Sequence, residues 1–243
     1  EDIKSHYSLS EITHKTIMTY GLAESALSKL IEDWETALPS YMHLAYLPNQ
    51  LTGVRLRLSS IGSHEGEMDE QIGRLKEILG EYIYSEQDDT LQECVGRLLA
   101  AAGKTFSTAE SCTGGKLAAL LSKHSGSSAF YKGSVISYAN SVKRDIFGVS
   151  DEILNTHGAV SEETVVVMAN SIRKQLSADY GIAISGIAGP TGGTPDKPVG
   201  TVWMAWATPT QTIAECVQLG KLREQITDRA CQKAMIKLIQ LLR

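Results

Sequence analysis

The sequence predicts an α/β protein of two domains, a small α+β domain over residues 1–88 and a three-layer α/β/α domain over residues 89–243. Two observations carry this prediction. Residues 1–88 contain 7 Lys and Arg against 15 Asp and Glu, whereas the rest of the chain contains 16 against 13, so the charge balance changes near residue 88. Beyond that point, helical and strand-like hydrophobic patterns alternate, as in domains with helices on both faces of a sheet.

The first domain is predicted to contain two helices and two strands. In chain order these are a helix over residues 24–34, a short apolar strand over 41–47, an alternating strand over 54–58 and a helix over 68–80. Because side chains alternate between the two faces of a strand, Arg55 and Arg57 are expected to face outward. The expected order is therefore helix, strand, strand, helix.

The second domain is predicted to alternate helices and strands. In chain order these are helix 91–102, strand 105–109, helix 115–123, strand 134–138, helix 161–176, strands 180–185 and 200–206, and helix 223–242. Ser161 is a typical N-cap, and Glu162 and Glu163 suit the positive end of the helix dipole. Strands 180–185 and 200–206 are apolar enough to be buried central strands.

Composition narrows the class of protein. Among 243 residues, 42% are hydrophobic, and no apolar run approaches the roughly 20 residues that span a bilayer. The start of the chain, Glu1 to Lys4, lacks the basic and apolar stretches of a signal peptide. A cytoplasmic protein without membrane contact is therefore expected. Because the chain does not begin with Met, it is expected to be a fragment or a processed product.

Cysteine and histidine spacing argues against metal sites. The four cysteines lie far apart without a CxxC pair, and the six histidines never occur as HxH, HxxxH or HExxH. The cysteines are expected to be reduced thiols. No metal ion and no other cofactor is expected.

The most informative motif is Ala-Glu-Ser-Cys-Thr-Gly-Gly at residues 109–115, where a predicted strand turns into a predicted helix. A small hydroxyl and two glycines there allow backbone N–H groups to face an anion, which the helix dipole also favours. The same pattern is typical of an N-capped helix after a tight turn. It is neither a Walker loop nor a dinucleotide fingerprint, so both interpretations stay open.

A second glycine-rich loop, residues 185–195, follows another predicted strand. Ligands of open α/β sheets bind beyond the carboxyl ends of the strands, so two such loops can form opposite walls of one cleft. Either loop alone could be a surface connection. Together they favour a site for a small molecule that carries a phosphate.

The segment from Tyr138 to Lys143 follows a third predicted strand. A Ser hydroxyl becomes a useful nucleophile when a base removes its proton, and a Lys can be that base if its pKa falls through burial or a neighbouring cation. A Tyr hydroxyl can relay a proton or stabilise an oxyanion. Ser111, Tyr138 and Lys143 thus form a chemically sensible set for amide hydrolysis, although a Lys after a strand is usually just solvated.

Three further residues have two interpretations each. Cys112 could be a thiolate nucleophile at a helix N-terminus, but beside Ser111 it is expected to point inward as a small hydrophobe. Arg223 and Arg229 begin the last helix, where they either cap it or bind a phosphate.

Together these segments resemble the CinA (competence/damage-inducible) family. The resemblance covers most of residues 90–243, through blocks at residues 109–115, 126–128, 138–143, 158–163, 186–194 and 197–202. Residues 1–88 resemble the family's middle, KH-like domain, through residues 21–25, Pro48 and the strand at 54–58. The family's usual N-terminal domain, similar to molybdopterin-binding proteins and linked to nucleotide pyrophosphatase activity, has no counterpart. A two-domain fragment of a longer protein is therefore expected.

The resemblance implies nicotinamide-nucleotide amidase activity, in which nicotinamide mononucleotide and water give nicotinic acid mononucleotide and ammonia. The family's catalytic Ser, Tyr and Lys fall by motif on Ser111, Tyr138 and Lys143. Ser185 stands where the family usually has Thr, and both residues keep a hydroxyl. The alternative is a catalytically silent nucleotide-binding or assembly module linked to competence or recombination.

The resemblance and the glycine loops also give the expected substrate-binding residues. These are Glu110, Thr113, Gly114, Gly115, Asn140, Gly189, Thr191, Gly192, Gly193, Arg223 and Arg229. A homo-oligomer is expected on family grounds. No nucleic-acid partner is expected, because KH domains clamp phosphates with a GxxG loop and basic residues, whereas no two glycines of residues 1–88 are three apart and this segment is acidic.

Overall fold

The chain forms two compact units, Glu1–Thr90 and Leu91–Arg243. This computed structural model describes residues 12–49 and 53–243. The border between the units falls two residues beyond the predicted one. The prediction that the chain has no signal peptide depends on Glu1 to Lys4. These residues lie outside the described residues.

The first unit is an antiparallel sheet with two helices. Its elements are β1 (Ile12–Thr19), α1 (Glu24–Thr36), β2 (Met42–Asn49), β3 (Gly53–Ile61), α2 (Glu65–Leu79), a 3₁₀ turn (Gly80–Tyr82) and β4 (Ile83–Ser85). The strand order in the sheet is β2-β3-β1-β4, with antiparallel pairs throughout. The predicted order of helix, strand, strand, helix was therefore incomplete, because β1 and β4 were missed.

The alternation along β3 determines which face of this sheet is covered. Val54, Leu56 and Leu58 are buried in a core shared with the apolar faces of α1 and α2. Arg55 and Arg57 point to the other face, as predicted, and both form ion pairs with Asp88 at 2.9 and 3.4 Å. The two outward cations of β3 are thus neutralised in part by a carboxylate of the same unit.

The second unit is a five-stranded sheet with helices on both faces. Its elements are α3 (Leu91–Ala102), β5 (Phe106–Glu110), α4 (Lys116–Ser122), a 3₁₀ turn (Ser127–Ala129), β6 (Tyr131–Ile136), α5 (Asn140–Phe147), α6 (Asp151–Thr156), α7 (Glu162–Gln175), β7 (Tyr180–Gly186), β8 (Thr201–Ala207), β9 (Thr212–Gln218) and α8 (Arg223–Leu241). The strand order is β6-β5-β7-β8-β9. Strands β6, β5 and β7 are parallel, whereas β8 and β9 are antiparallel to their neighbours.

Alternating residues of the central strands divide the core into two halves. Ala109, Ala183 and Ala205 pack in one cluster with buried residues of α7. On the opposite face of β8, the indole of Trp206 donates a hydrogen bond to the carbonyl of Ala234 in α8, at 3.0 Å. The predicted three-layer arrangement is therefore confirmed.

The carboxyl ends of β5, β6 and β7 meet at one edge of this sheet, where polar residues collect. Here β6 ends at Ile136, two residues before the predicted end, so Tyr138 lies in the connection to α5. The sequence had not predicted α5, whose first turn carries Lys143. The end of β6 and the start of α5 thus place Tyr138 and Lys143 at the same edge of the sheet as Ser111.

Two features are absent from the part of the chain that the structure describes. No helix there is long and apolar enough to cross a membrane. Nor do the described histidines, cysteines and carboxylates form a group of three or more that could hold a metal ion.

Candidate active site

Ser111 lies on a tight turn immediately after β5. Its backbone N–H donates to the carbonyl of Ile184 in β7, at 2.9 Å, and its own carbonyl accepts from Gly114 at 3.1 Å. Gly115 adopts a φ of +93°, a left-handed conformation that favours glycine over residues with a side chain. The turn holds Ser111 at the sheet edge with 8% of its surface exposed.

Lys143 is a basic group within hydrogen-bond distance of Ser111. Its Nζ lies 3.0 Å from Ser111 Oγ and donates to the carbonyl of Ser137 at 2.7 Å. The side chain is 1% exposed, and this burial lowers the pKa of Lys143 because desolvation disfavours the ammonium form. The backbone N–H of Ser137 in turn donates to the carbonyl of Glu110 at 2.7 Å, which fixes the lysine's partner to the end of β5.

Cys112 does not compete with Ser111 as a nucleophile. Its thiol is buried, and this burial raises the pKa of Cys112 to about 12. The thiol therefore stays protonated near neutral pH, whereas the thiolate is the form that reacts as a nucleophile. The expected inward, hydrophobic role of Cys112 agrees with this environment.

Ser111, Tyr138 and Lys143 all line one cavity of about 330 Å³. Its lining residues are Ser111, Cys112, Tyr138, Asn140, Lys143, Ala159, Val160, Ser185, Gly186, Ile187, Ala188, Gly189, Thr191, Gly192 and Arg223. The glycine-rich turn after β5 and the loop after β7 therefore line one cleft, as the two-loop interpretation requires.

Arg223, at the start of α8, joins two sides of the cleft. Its Nη2 donates to Tyr138 Oη at 3.0 Å, and its Nη1 donates to the carbonyl of Gly189 at 2.9 Å. Tyr138 is otherwise 62% exposed. The guanidinium thus orients an exposed phenol at the mouth of the cavity.

Six predicted substrate-binding residues do not line the cavity. They are Glu110, Thr113, Gly114, Gly115, Gly193 and Arg229. Arg229 donates to the carbonyl of Leu219 at 3.0 Å, so of the two arginines at the start of α8 only Arg223 reaches the cleft. A Cβ on Gly193 would lie 2.8 Å from the backbone nitrogen of Val199, which indicates a packing role within its own loop.

Glu110 corrects the expected anion site at the start of α4. Its carboxylate is fully buried and accepts hydrogen bonds from five groups: Thr113 Oγ1 at 2.7 Å, Ser134 Oγ at 3.4 Å, and the backbone N–H groups of Gly115 at 3.0 Å, Leu117 at 3.1 Å and Ala118 at 2.8 Å. The positive end of this helix therefore faces the protein's own carboxylate. The Thr113 hydroxyl and the Gly115 N–H, which were expected to bind a phosphate, donate to Glu110 instead, and the Gly114 N–H donates to the carbonyl of Ser111.

One wall of the cleft was missed by residue-by-residue reasoning. Ala159 and Val160 line the cavity from the connection between α6 and α7, and Ser185 Oγ donates to the carbonyl of Ala159 at 2.7 Å. The signal in the sequence was the block at residues 158–163, which matches the family but contains no acid, base or nucleophile facing the cleft. A wall built from small apolar residues and backbone leaves no chemical motif to find.

Family models match nearly the whole chain. The CinA C-terminal domain matches residues 88–242, and the damage-inducible protein CinA KH domain matches residues 14–85. A CinA-like protein of Cytophaga hutchinsonii is 45% identical over 228 residues, which are 92% of this chain and 54% of the relative. One from Flavobacterium psychrophilum is 42% identical over 229 residues, with the same two shares. The chain thus spans about half the length of the curated relatives it matches.

Solved structures match about two thirds of the chain. The competence damage-inducible protein A of Klebsiella pneumoniae has a TM-score of 0.60 and 39% identity, covering 62% of this chain and 93% of that protein. The competence/damage inducible protein CihA of Agrobacterium tumefaciens has a TM-score of 0.60 and 34% identity, covering 65% of this chain and all of that protein. With both domain models matched in order, the chain belongs to the CinA family.

Proposed function

We propose that the second unit hydrolyses the carboxamide of nicotinamide mononucleotide, giving nicotinic acid mononucleotide and ammonia, through an acyl-enzyme on Ser111. The observation that carries the proposal is the 3.0 Å distance between Lys143 Nζ and Ser111 Oγ, next to a cavity that Tyr138 also lines. Membership of the CinA family, which the sequence linked to this activity, supports the same conclusion.

The chemistry needs a neutral amine beside the hydroxyl. Because burial lowers the pKa of Lys143, a larger fraction of it is neutral at a given pH than of an exposed lysine. The neutral amine accepts the proton of Ser111 as Oγ attacks the carboxamide carbon. When the C–N bond of the tetrahedral intermediate breaks, Lys143 returns that proton to the nitrogen, and ammonia leaves.

Deacylation repeats the same proton transfers with water. A water molecule attacks the acyl carbon and gives a proton to Lys143, which passes it to Ser111 Oγ as the ester bond breaks. The sum of both steps is one amide and one water converted to one carboxylic acid and one ammonia. A substrate pyridinium near Lys143 also disfavours the ammonium form, so the substrate helps to keep its own base neutral.

The charge at the cleft suits a phosphate on the substrate. Arg223 is a permanent cation at the cavity, and its two observed hydrogen bonds leave three of its five donors for a ligand. We assign binding of the ribose phosphate to Arg223 together with Gly189, Thr191 and Gly192. We also assign to Asn140 a hydrogen bond with the substrate. Tyr138 accepts from Arg223, so its own O–H can donate to the developing oxyanion.

The deciding experiment incubates the purified chain with nicotinamide mononucleotide and measures ammonia and the acid product. We expect Ser111→Ala to abolish turnover while nucleotide binding remains, and Lys143→Arg to fail because guanidinium is not a base near neutral pH. Ser141→Ala, at an exposed serine outside the cavity, is the matched control and should keep full activity. Turnover by Ser111→Ala would remove Ser111 from the mechanism. Binding without ammonia from the unaltered chain would favour the silent nucleotide-binding module.

The phosphate assignment is tested in the same assay with the dephosphorylated riboside. We expect the riboside to be a much poorer substrate than the nucleotide. Arg223→Ala should raise KM for the nucleotide and so reduce the difference in kcat/KM between the two substrates. Arg229→Ala is the matched control, because Arg229 lies six residues further along α8 and donates to the carbonyl of Leu219 instead of reaching the cleft. Equal kinetics for nucleotide and riboside would contradict the assignment.

A further inference from the structure

Two loops together contribute seven of the residues that line the cleft. The wall segment, residues 157–160, connects α6 to α7 and contributes Ala159 and Val160 to the cavity. The cleft loop, residues 187–200, connects β7 to β8 and contributes Ile187, Ala188, Gly189, Thr191 and Gly192. Because both loops line the cavity, a change in the distance between them would change its shape.

Lys197 of the cleft loop is bonded to both ends of the wall segment. Its Nζ donates to the carbonyl of His157 at 2.7 Å and to the carbonyl of Val160 at 2.8 Å. The two carbonyls between them have other donors: Ser161 Oγ and Thr164 Oγ1 donate to Gly158, and Ser185 Oγ donates to Ala159. A single ammonium group therefore joins the wall segment to the cleft loop through charge-assisted hydrogen bonds, which are stronger than neutral ones.

The backbone around Lys197 is itself fixed. Within the cleft loop, Thr194 N–H donates to the carbonyl of Lys197 at 2.9 Å, and Lys197 N–H donates to Thr194 Oγ1 at 3.1 Å. At the base of the loop, Ile187 N–H donates to Thr201 and Gly200 N–H donates to Ile187, at 2.9 and 2.8 Å. Lys197 is thus held on a closed turn, and its side chain transmits that position to the wall segment.

Lys197 does not line the cavity, and none of its hydrogen bonds reaches Ser111, Tyr138 or Lys143. We propose that Lys197 is a positioning residue that sets the width of the cleft by joining the wall segment to the cleft loop, and so determines affinity for the nucleotide. The inference rests on the proposed function, because the nucleotide is the ligand that this wall contacts. It assigns Lys197 no part in proton transfer.

The test compares Lys197→Met with the unaltered chain and with Lys132→Met. Methionine keeps a long apolar stem but has no donor, and Lys132 is an exposed lysine of β6 without a side-chain partner among the described residues. We expect Lys197→Met to raise KM for nicotinamide mononucleotide about tenfold while kcat changes less than about threefold, the pattern of binding lost equally in the ground state and the transition state. Lys197→Arg, which keeps charge and donors, should recover part of the affinity, and Lys132→Met should change neither constant.

Hydrogen exchange measures the positioning without any ligand. In Lys197→Met, amides of residues 157–161 and 187–193 should exchange faster than in the unaltered chain, while amides within α7 and β7 keep their protection. Unchanged exchange in the wall segment, or faster exchange without a change in KM, would overturn the inference. If the unaltered chain releases no ammonia, the proposed amidase fails, and calorimetric titration with the same nucleotide replaces KM: weaker binding by Lys197→Met supports the inference, and equal or absent binding overturns it.

Discussion

At the scale of single residues, Lys143 links the ionisation of one amine to both stability and chemistry. Its amine is enclosed, with the Ser137 carbonyl and the Ser111 hydroxyl as partners. Desolvation lowers the pKa of Lys143, and the thiolate of Cys112 would oppose this shift, but that thiol has a pKa of about 12 and is neutral at ordinary pH. The net effect favours the neutral base that amide hydrolysis requires.

A pH titration of stability tests this description of Lys143. In the window between its lowered folded pKa and the ordinary value of 10.5, unfolded Lys143 carries a proton that folded Lys143 lacks, so the contribution of this residue to the free energy of unfolding should rise with pH. Lys143→Met should remove that contribution, whose slope is at most about 1.4 kcal/mol per pH unit. Urea unfolding at several pH values measures it. A variant that keeps the same slope as the unaltered chain would contradict a lowered lysine pKa.

The same window governs activity. We expect kcat/KM to rise with pH as Lys143 loses its proton and to level off below pH 10.5. An activity that only begins to rise near the pKa of an exposed lysine would argue against Lys143 as the base.

At the scale of elements, α4 depends on a carboxylate that precedes it. Glu110 satisfies three backbone N–H groups at the helix start and lies next to Ser111 in the chain. We expect Glu110→Gln to reduce the free energy of unfolding by about 3 kcal/mol. The glutamine amide has no charge, and its NH₂ group would face backbone N–H groups that need an acceptor. Glu152→Gln, at an exposed position in α6, should cost little and is the control. Denaturant unfolding decides, and equal stability of the two variants would show that the carboxylate is dispensable.

Hydrophobic patterns in the sequence predicted some helices and strands correctly and missed others. Apolar stripes predicted α1, α7 and α8 to within a few residues, since tertiary packing there follows the local period. Strand β1 was missed because its residues 13–16 are polar on both faces, and its place in the sheet comes from pairing with β3. Helix α5 is short and its apolar residues are few, so its sequence has no sustained period.

The candidate site divides in the same way. Ser111, Tyr138 and Lys143 could be named from motifs at strand ends, because parallel strands bring their carboxyl ends to one edge. Glu110 could not be assigned correctly, since the direction of its side chain depends on where α4 begins. The role of Lys197 was equally hidden, because its partners are backbone carbonyls some forty residues away in the chain.

At the scale of the whole molecule, we predict that the first unit does not bind nucleic acid. Arg55 and Arg57 share the carboxylate of Asp88, and residues 1–88 remain strongly acidic. We expect no salt-sensitive micromolar binding when the full chain is titrated with fluorescent single-stranded oligonucleotides at low salt. Binding that is lost in the double variant Arg55→Ala, Arg57→Ala would contradict this. The homo-oligomer and the cytoplasmic location stay predictions, and light scattering of the purified chain tests the first.

The distribution of thiols gives the molecule a natural attachment point for a probe. Three of its four cysteines are buried, whereas Cys216 on β9 is exposed. Burial raises the pKa of Cys216 only in part, because Lys197 is near enough to lower it. A maleimide dye should therefore label Cys216 alone, three strands from Ser111 in the sheet, without any cysteine having to be replaced. The emission of such a dye would report whether the surroundings of Lys197 in the cleft loop change when nucleotide is added.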